Sequence, residues 1–389
     1  MPRITIGIDA VNIRAGGGVT HLVNLISAFN IEGSNVGRVV IWSSRATAEK
    51  LPERPWLEKK WLPWMDSNFL FRIWGYLFNF PGVISSENPD VVFSPGGTLP
   101  KMNSVPGVTM SQNMLPFEAS ESFLFGRFSL MRLKMWILRF VQGNSFRRAQ
   151  GVIFLTEYAR TNVIKALNSI KAETVLIPHG IEPRFFKPAR IHRRFDDFCS
   201  KRPLKIIYVS MFMPYKHQKE VMEAVWRLSN NGLPVEIEFI GTSDGRYGRS
   251  CKRLLNSLDP DGKVLKMTGY IAFDDLHALY SSADLLVFAS SCENLPNILI
   301  EGMASQLPIV CSEKGPMPEV LKAAGCYFNP YNSASISAAI LRIISDIELQ
   351  ETLATNAYKL AESYCWSKCA DDTFGFLTKI SQGKNYNGV

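Results

Sequence analysis

Two hydrophobic periods alternate along this chain. Ile4–Ile8 is a β-branched run, and Val19–Phe29 follows with an amphipathic helical spacing. Arg38–Trp42, Val91–Phe93, Val105–Met110 and Val152–Leu155 repeat the strand signal. Between Glu182 and Pro203 the periodicity fails, and Pro183, Pro188 and Pro203 punctuate a basic stretch holding Arg190, Arg193 and Arg194, which reads as a linker. The alternation then restarts with strands at Lys205–Ser210, Val235–Ile240, Val264–Thr268, Leu285–Ala289 and Ile309–Ser312. Helices are predicted between them at Gln218–Leu228, Arg249–Leu258, Phe273–Ser282 and Pro296–Ser305. Short apolar runs separated by helical stretches predict parallel sheets covered on both faces. Two doubly wound α/β domains are therefore expected, at residues 1–182 and 204–362, with 183–203 between them. Ligands of such sheets bind beyond the carboxyl ends of the strands, so the strand-to-helix turns are where chemistry belongs.

With 389 residues, 46% hydrophobic and 20% charged, the chain is ordinary globular protein, neither disordered nor fibrous. No apolar run approaches the roughly 20 residues that span a bilayer, and the first ten residues read as a strand rather than a signal peptide. Seven scattered cysteines without metal or redox spacing suit reduced thiols in a cytoplasm. The net charge of +8 is uneven: residues 1–185 hold 20 Lys and Arg against 13 Asp and Glu, the remainder 23 against 22. The excess points to a polyanionic partner of the first half, either phosphate groups or anionic lipid. Nucleic acid is excluded, since no RNA-binding signature accompanies the basic charge.

The richest segment runs from Ser290 to Ala304. A buried strand leads into a polar turn and then a helix, with Pro296 in the first turn, where its missing N–H costs nothing. Free amides around Leu295–Ile298, together with the helix dipole, form an anion site. Glu293 stands before the helix and Glu301 five residues into it, roughly 7–8 Å along the axis. A diphosphate at the helix start would put a sugar near Glu293 and a ribose near Glu301; the plainer alternatives are a capping residue and a solvated carboxylate. Lys216, at another strand-to-helix junction, either faces the same diphosphate or is a surface lysine. Asp259-Pro260-Asp261-Gly262 spells a two-aspartate metal pattern but sits between helix and strand in turn positions, so no metal is expected.

Val287-Phe288-Ala289-Ser290, followed by Glu293, Pro296-Asn297 and Glu301-Gly302-Met303-Ala304, resembles the hallmark of retaining glycosyltransferases of family 4, as found among bacterial cell-surface polysaccharide and O-antigen enzymes. Ile177-Pro178-His179-Gly180-Ile181 with Phe185, Pro214 with Lys216, Gly269-Tyr270, Ala283-Asp284 and Pro318-Glu319-Val320 match in order. The resemblance implies the GT-B fold: two Rossmann-like domains facing across a cleft, the first binding acceptor and the second nucleotide sugar. The segment from Trp366, within residues 363–389, would cross back to the first domain. It also implies roles: Glu293 on donor-sugar hydroxyls, backbone amides of Asn294, Leu295, Pro296-adjacent backbone and Asn297 on sugar and diphosphate, Glu301 on the ribose, Lys216 on the diphosphate. Met211 stands where the family often has an arginine, so one cation is missing.

In the first half, Gly16-Gly17-Gly18 opens a helix and resembles the family's loop that closes over the donor, which makes Gly17 and Gly18 donor-side candidates. Gln112-Asn113 replaces a His-Asp pair of many members. Neither residue exchanges protons near neutral pH, so Asn113 enters as a hydrogen-bonding member of the catalytic group, with Gln112 and Thr156 on the acceptor side. Phe123–Ala149 contains Arg127, Arg132, Lys134 and Arg139 and no acid. Leu130, Leu133, Ile137 and Phe140 share one helical face, read as core-facing with a basic solvent face; alternatively Phe128, Met131, Met135 and Leu138, interleaved with the charges, together with aromatic Phe69–Phe80, make a peripheral contact with an anionic cytoplasmic membrane. The reading as a whole is metal-independent, cofactor-free transfer from a nucleoside diphosphate sugar to a glycan or lipid-linked glycan, with a front-face retaining mechanism. Its alternatives are a nucleotide-sugar-binding scaffold without turnover and a nucleotide-sugar epimerase.

Overall fold

A computed structural model describes residues 3–102, 104–126 and 129–383. The described chain forms two compact α/β units. The first comprises residues 1–117, 130–180 and 365–389, the second 118–129 and 181–364. The short piece 118–129 thus belongs with the second unit, although it lies inside the stretch expected to be the first domain.

The first unit is a seven-stranded parallel sheet of order β3-β2-β1-β4-β5-β6-β7. Its strands are β1 (Ile4–Ala10), β2 (Val36–Ser43), β3 (Leu57–Lys60), β4 (Val91–Ser94), β5 (Gly107–Met110), β6 (Gly151–Phe154) and β7 (Glu173–Leu176). The central strands β4, β5 and β6 are buried throughout, as parallel strands covered on both faces must be. Order reverses between β1 and β4, whose register pairs Ile6 with Val91 and Ile8 with Phe93. The terminal helix Trp366–Ser381 packs within this unit: Phe374 stacks on Phe29 with ring centroids 3.7 Å apart, and a Cβ on Gly180 would lie 2.2 Å from the Trp366 amide nitrogen.

The second unit is a six-stranded parallel sheet of order β10-β9-β8-β11-β12-β13. Its strands are β8 (Leu204–Val209), β9 (Val235–Ile240), β10 (Leu265–Gly269), β11 (Leu285–Phe288), β12 (Ile309–Ser312) and β13 (Cys326–Phe328). Both units have the doubly wound order in which a crevice opens where the strand sequence reverses. In the second unit that point lies between β8 and β11, paired at Leu285 with Ile206 and Leu286 with Ile207.

The stretch read as a linker is not a free tether. Arg190 donates to the carbonyls of Tyr280 and Ser281, both at 3.2 Å, and Arg193 Nε donates to Asp284 at 3.0 Å. Phe185 is fully buried against Phe273 and Tyr280. Arginine side chains that satisfy carbonyls at helix and strand ends hold residues 181–203 on the second unit, which the loss of periodicity does not reveal.

Candidate functional site

The turns after β8 and β11 meet at the reversal point of the second sheet. Beyond β8, Pro214–Lys216 forms one 3₁₀ turn, and His217 takes a left-handed conformation (φ 53°) before the helix Gln218–Asn230. This turn aims Lys216 inward, and its ammonium pairs with the Glu293 carboxylate, 77 residues away in sequence. Only 8% of Lys216 is exposed, and the ammonium lies 5.3 Å from the Tyr215 ring centre and 5.7 Å from that of Phe288. The surface-lysine alternative is therefore overturned. A salt bridge so enclosed is costly to desolvate and is weak evidence for a purely stabilising role.

The helix that follows runs Asn297–Ala304, with Pro296 at its N-cap. The N-cap side chain makes no capping bond and the first turn holds no acid, so the helix itself does not offset the positive end of its dipole. Asn297 corrects one expectation: its amide donates to the Leu295 carbonyl at 3.0 Å and is not free for a ligand. Its side-chain Oδ1 is instead buried without a hydrogen-bond partner. Asn294 and Leu295 are buried in the same turn.

Glu301 is 4% exposed, not a solvated helix carboxylate. Burial pushes its pKa up to about 7, opposed by the Tyr280 hydroxyl, which donates to Oε2 at 2.9 Å. Near neutrality the group stands between its two protonation states. Met211, where a second cation was looked for, is about half exposed. Asp259 is engaged by the fold, receiving the amides of Lys263, Val264 and Leu265 at 3.2, 2.7 and 2.8 Å. The Asp-Pro-Asp-Gly segment is a turn whose first carboxylate closes it.

Sequence reasoning missed a polar cluster beside this pair. The Ser291 hydroxyl donates to Glu121 and lies 2.9 Å from His217 Nε2. Tyr331 donates to the other Glu121 oxygen at 2.8 Å. Four distant segments meet here, and no local motif marks them.

In the first unit, Gly16 (φ 65°) supplies the left-handed residue that starts the helix Gly17–Ala28, again without a side-chain cap. A Cβ on Gly18 would lie 3.3 Å from Ile13 and 3.8 Å from Gln112 Oε1, while Gly17 borders open space. The glycine turn and Gln112 are thus neighbours. Gln112 also donates to the Met110 sulfur at 3.3 Å. Asn113 is exposed, but its Oδ1 receives the Leu115 amide at 3.1 Å and shapes its own turn. Thr156 departs from its acceptor-side assignment: it is buried, and its hydroxyl oxygen caps the helix Glu157–Leu167 through the Ala159 amide. Asp9, unread in the sequence, is buried at the end of β1. The hydroxyls of Tyr76 (2.6 Å) and Ser94 (3.0 Å) donate to it, and burial pushes its pKa up to about 6.

The basic helix, Leu130–Arg148, turns outward the face read as core-facing and buries Met135, which the membrane reading had exposed. Leu130 (86% exposed), Leu133, Trp136 (68%), Ile137 and Phe140 face outward, whereas Met135, Gln142, Gly143, Ser145 and Phe146 face the unit's interior. The apolar stripe is therefore neither core-facing nor backed by a basic solvent face. Arg139 is half-buried and donates to the Ala166 carbonyl at 2.8 Å, so it is held by the fold rather than free for a membrane. Arg132 is half-buried and Lys134 exposed, while Arg127 and Phe128 lie outside the described residues. Phe69, Leu70, Phe71, Trp74, Leu77 and Phe78 are also exposed, on the helix Phe69–Trp74 and the π-helical turn Gly75–Asn79. Both exposed faces flank one turn: Tyr76 donates to the Thr98 carbonyl at 3.2 Å, and the Leu99 amide donates to Ser145 at 3.0 Å. Among the described residues no helix is long and apolar enough to cross a membrane.

A family model described as Glycosyltransferase Family 4 matches residues 15–185, and one described as Glycosyl transferases group 1 matches 192–360. The sulfoquinovosyl transferase SQD2 of Arabidopsis thaliana is 25% identical over 297 residues, which is 74% of this chain but only 54% of that protein. The chain thus spans about half the length of this relative. Among solved structures, sucrose-phosphate synthase from Thermosynechococcus elongatus superposes with a TM-score of 0.75 at 17% identity, covering 98% of this chain and all of that one. Anabaena Alr3699/HepE, solved in complex with UDP-glucose, gives 0.71 at 16% identity, covering 97% and 100%.

Proposed function

Because the chain belongs to the glycosyltransferases, with a family 4 domain followed by a group 1 domain and the GT-B fold, we propose that it transfers a hexose-type unit from a nucleoside diphosphate sugar to a glycan or lipid-linked glycan, with retention of anomeric configuration. The observation that carries this reading is the enclosed Lys216–Glu293 pair beside an uncapped helix start. A diphosphate at that start gives Lys216 an anionic partner and frees Glu293 to accept hydrogen bonds from sugar hydroxyls. Asn297 Oδ1, buried and unpartnered, gains a donor from the same ligand. Glu301, with its pKa near 7, is suited to a ribose diol: the carboxylate accepts from both hydroxyls once a ligand's donors offset its desolvation.

Transfer follows the front-face course. The bond from the anomeric carbon to the diphosphate oxygen breaks, and the electron pair leaves with the nucleoside diphosphate. The acceptor hydroxyl attacks the same face and delivers its proton to the departing phosphate oxygen, so no side-chain base is required at Gln112-Asn113. Catalysis rests on stabilising the leaving charge through Lys216 and the helix amides, in place of a metal ion. A donor like the UDP-glucose bound to Anabaena Alr3699/HepE is the natural first trial. For a lipid-linked acceptor, the exposed apolar faces of the first unit would rest on an anionic membrane surface on its cytoplasmic side.

The test is a transfer and hydrolysis assay over a panel of nucleotide sugars, with EDTA and without. Sugar transfer that survives EDTA is expected. Activity lost to EDTA and restored by Mn²⁺ or Mg²⁺ would overturn the role given to Lys216, and binding without turnover on any acceptor would favour the scaffold reading.

A further inference from the structure

The segment 118–129 is contributed to the second unit from between two stretches of the first. It opens with the helix Ala119–Phe123, and Glu121 on that helix is 7% exposed. Its carboxylate is held by two hydroxyls, Ser291 on one oxygen and Tyr331 on the other. Ser291 is itself a junction. Its amide donates to the Tyr215 carbonyl at 2.8 Å, its hydroxyl lies 3.2 Å from the same carbonyl, and His217 Nε2 approaches it at 2.9 Å. The ring of His217 meets that of Tyr331 edge-on, 4.5 Å between centres. Both turns joined at Ser291 carry a charge of the donor site: Lys216 lies between Tyr215 and His217, and Glu293 two residues beyond Ser291. Glu118 adds a second acid to the same face, where it and burial hold the Cys292 thiol well above its usual range.

We infer that Glu121 is a positioning residue of the donor site, a latch that fixes the 215–217 and 290–293 turns so that Lys216 and Glu293 are held in register for a nucleoside diphosphate sugar. A buried carboxylate is retained only where its partners satisfy it, and here those partners are the groups that join the two charged turns. Removing it takes the carboxylate acceptor from the Tyr331 and Ser291 hydroxyls and lets the Ser291 hydroxyl turn to Tyr215, His217 or Tyr331, which loosens the junction. Glu121 also follows the Gln112-Asn113 turn by only eight residues. The inference rests on the donor-site reading above.

Calorimetric titration of the full chain with UDP and with GDP tests it, alongside thermal unfolding of each variant. Glu121→Ala should weaken the nucleoside diphosphate about tenfold, the scale of one lost hydrogen bond to a charged group, and should raise KM for the donor more than it lowers kcat. Glu121→Gln, which still accepts from one hydroxyl and leaves the other free to reorient, should recover most of the loss. Tyr331→Phe combined with Glu121→Ala should cost less than the sum of the two single changes. If wild type binds and Glu121→Ala binds equally well or more tightly, the latch is wrong, whatever happens to Tm. If wild type binds neither diphosphate, the donor-site reading fails and the latch falls with it.

Discussion

Both units bury a carboxylate, Asp9 in the first, yet they depart from the ordinary distribution of side chains in different ways. The second buries charges: Lys216, Glu121 and Glu301 are each less than a tenth exposed. The first exposes large apolar side chains, concentrated on the helix Leu130–Arg148 and on residues 69–78. Each departure costs folding free energy, and such costs persist where a ligand offsets them. The charges suit the ligand proposed for them, a small polar molecule with its own phosphates and hydroxyls. The exposed stripe, Leu130, Leu133, Trp136, Ile137 and Phe140, offers no complementary polar shape, only area, and area without shape suits a fluid surface.

The largest effect expected is at Lys216. Lys216→Ala leaves Glu293 enclosed without its cation and removes the side-chain charge proposed for the diphosphate. Transfer should fall by about 100-fold or more, the usual scale for one preorganised charge-stabilising group, with a lower Tm as well. A folded variant with wild-type transfer rates would break the comparison on the buried side.

Next comes the apolar face. Replacing Leu133, Trp136 and Phe140 together with Ser should abolish co-sedimentation with anionic vesicles and leave Tm unchanged or higher, because these side chains are already exposed. Replacing Arg132 and Lys134 with Gln should remove only the salt-sensitive part. A cation near an anionic surface contributes about 1 kcal/mol, against about 1.5–3 kcal/mol for a large apolar side chain taken from water. Vesicle binding that survives the apolar triple would mean that the exposed face meets something other than lipid.

The smallest effect is a pH profile. Burial raises the Glu301 pKa to about 7 in the folded chain, so the folded state holds a proton that the unfolded state releases near the ordinary carboxylate value. The stability this contributes is complete below about pH 4.5 and is lost as pH rises through about 7. Glu301→Gln should lack that slope in unfolding scans. Affinity for a nucleoside diphosphate should rise by up to about tenfold from pH 6 to 8 in wild type, as the accepting carboxylate form becomes populated, and stay flat in the Gln variant. A rising profile in both would remove Glu301 from the ribose role.

Much of the fold was legible because its inner strands are short apolar or alternating runs set between helical stretches. Val235–Ile240 and Ile309–Ser312 match their sequence limits. The strands that escaped notice were β3, β7 and β13, all at sheet edges. An edge strand is covered on fewer sides, so Leu57-Glu58-Lys59-Lys60 carries no apolar run to read. The motif from Glu293 to Glu301 was legible for a related reason: strand, turn and helix are contiguous, and contiguous chain fixes local geometry.

The sequence by itself determined the alternation of strand and helix, the turn chemistry at Gly16 and Pro296, and the spacing of the two glutamates. Each depends on residues within a few positions of one another. It also set Leu130, Leu133, Ile137 and Phe140 on one helical face. Which way that face points was decided only by the tertiary structure, because a helix period is silent on what the sheet accepts: polar Gln142 and Ser145 fit against the turn after β4, small Gly143 against Leu167, and the bulky stripe was left outside. The pairing of Lys216 with Glu293, the latch from Glu121 to Ser291 and Tyr331, and the burial that raises Glu301 join segments up to 210 residues apart. Such contacts come into being only when the sheets close, since their strength depends on a dry, preorganised surrounding that no stretch of sequence has alone.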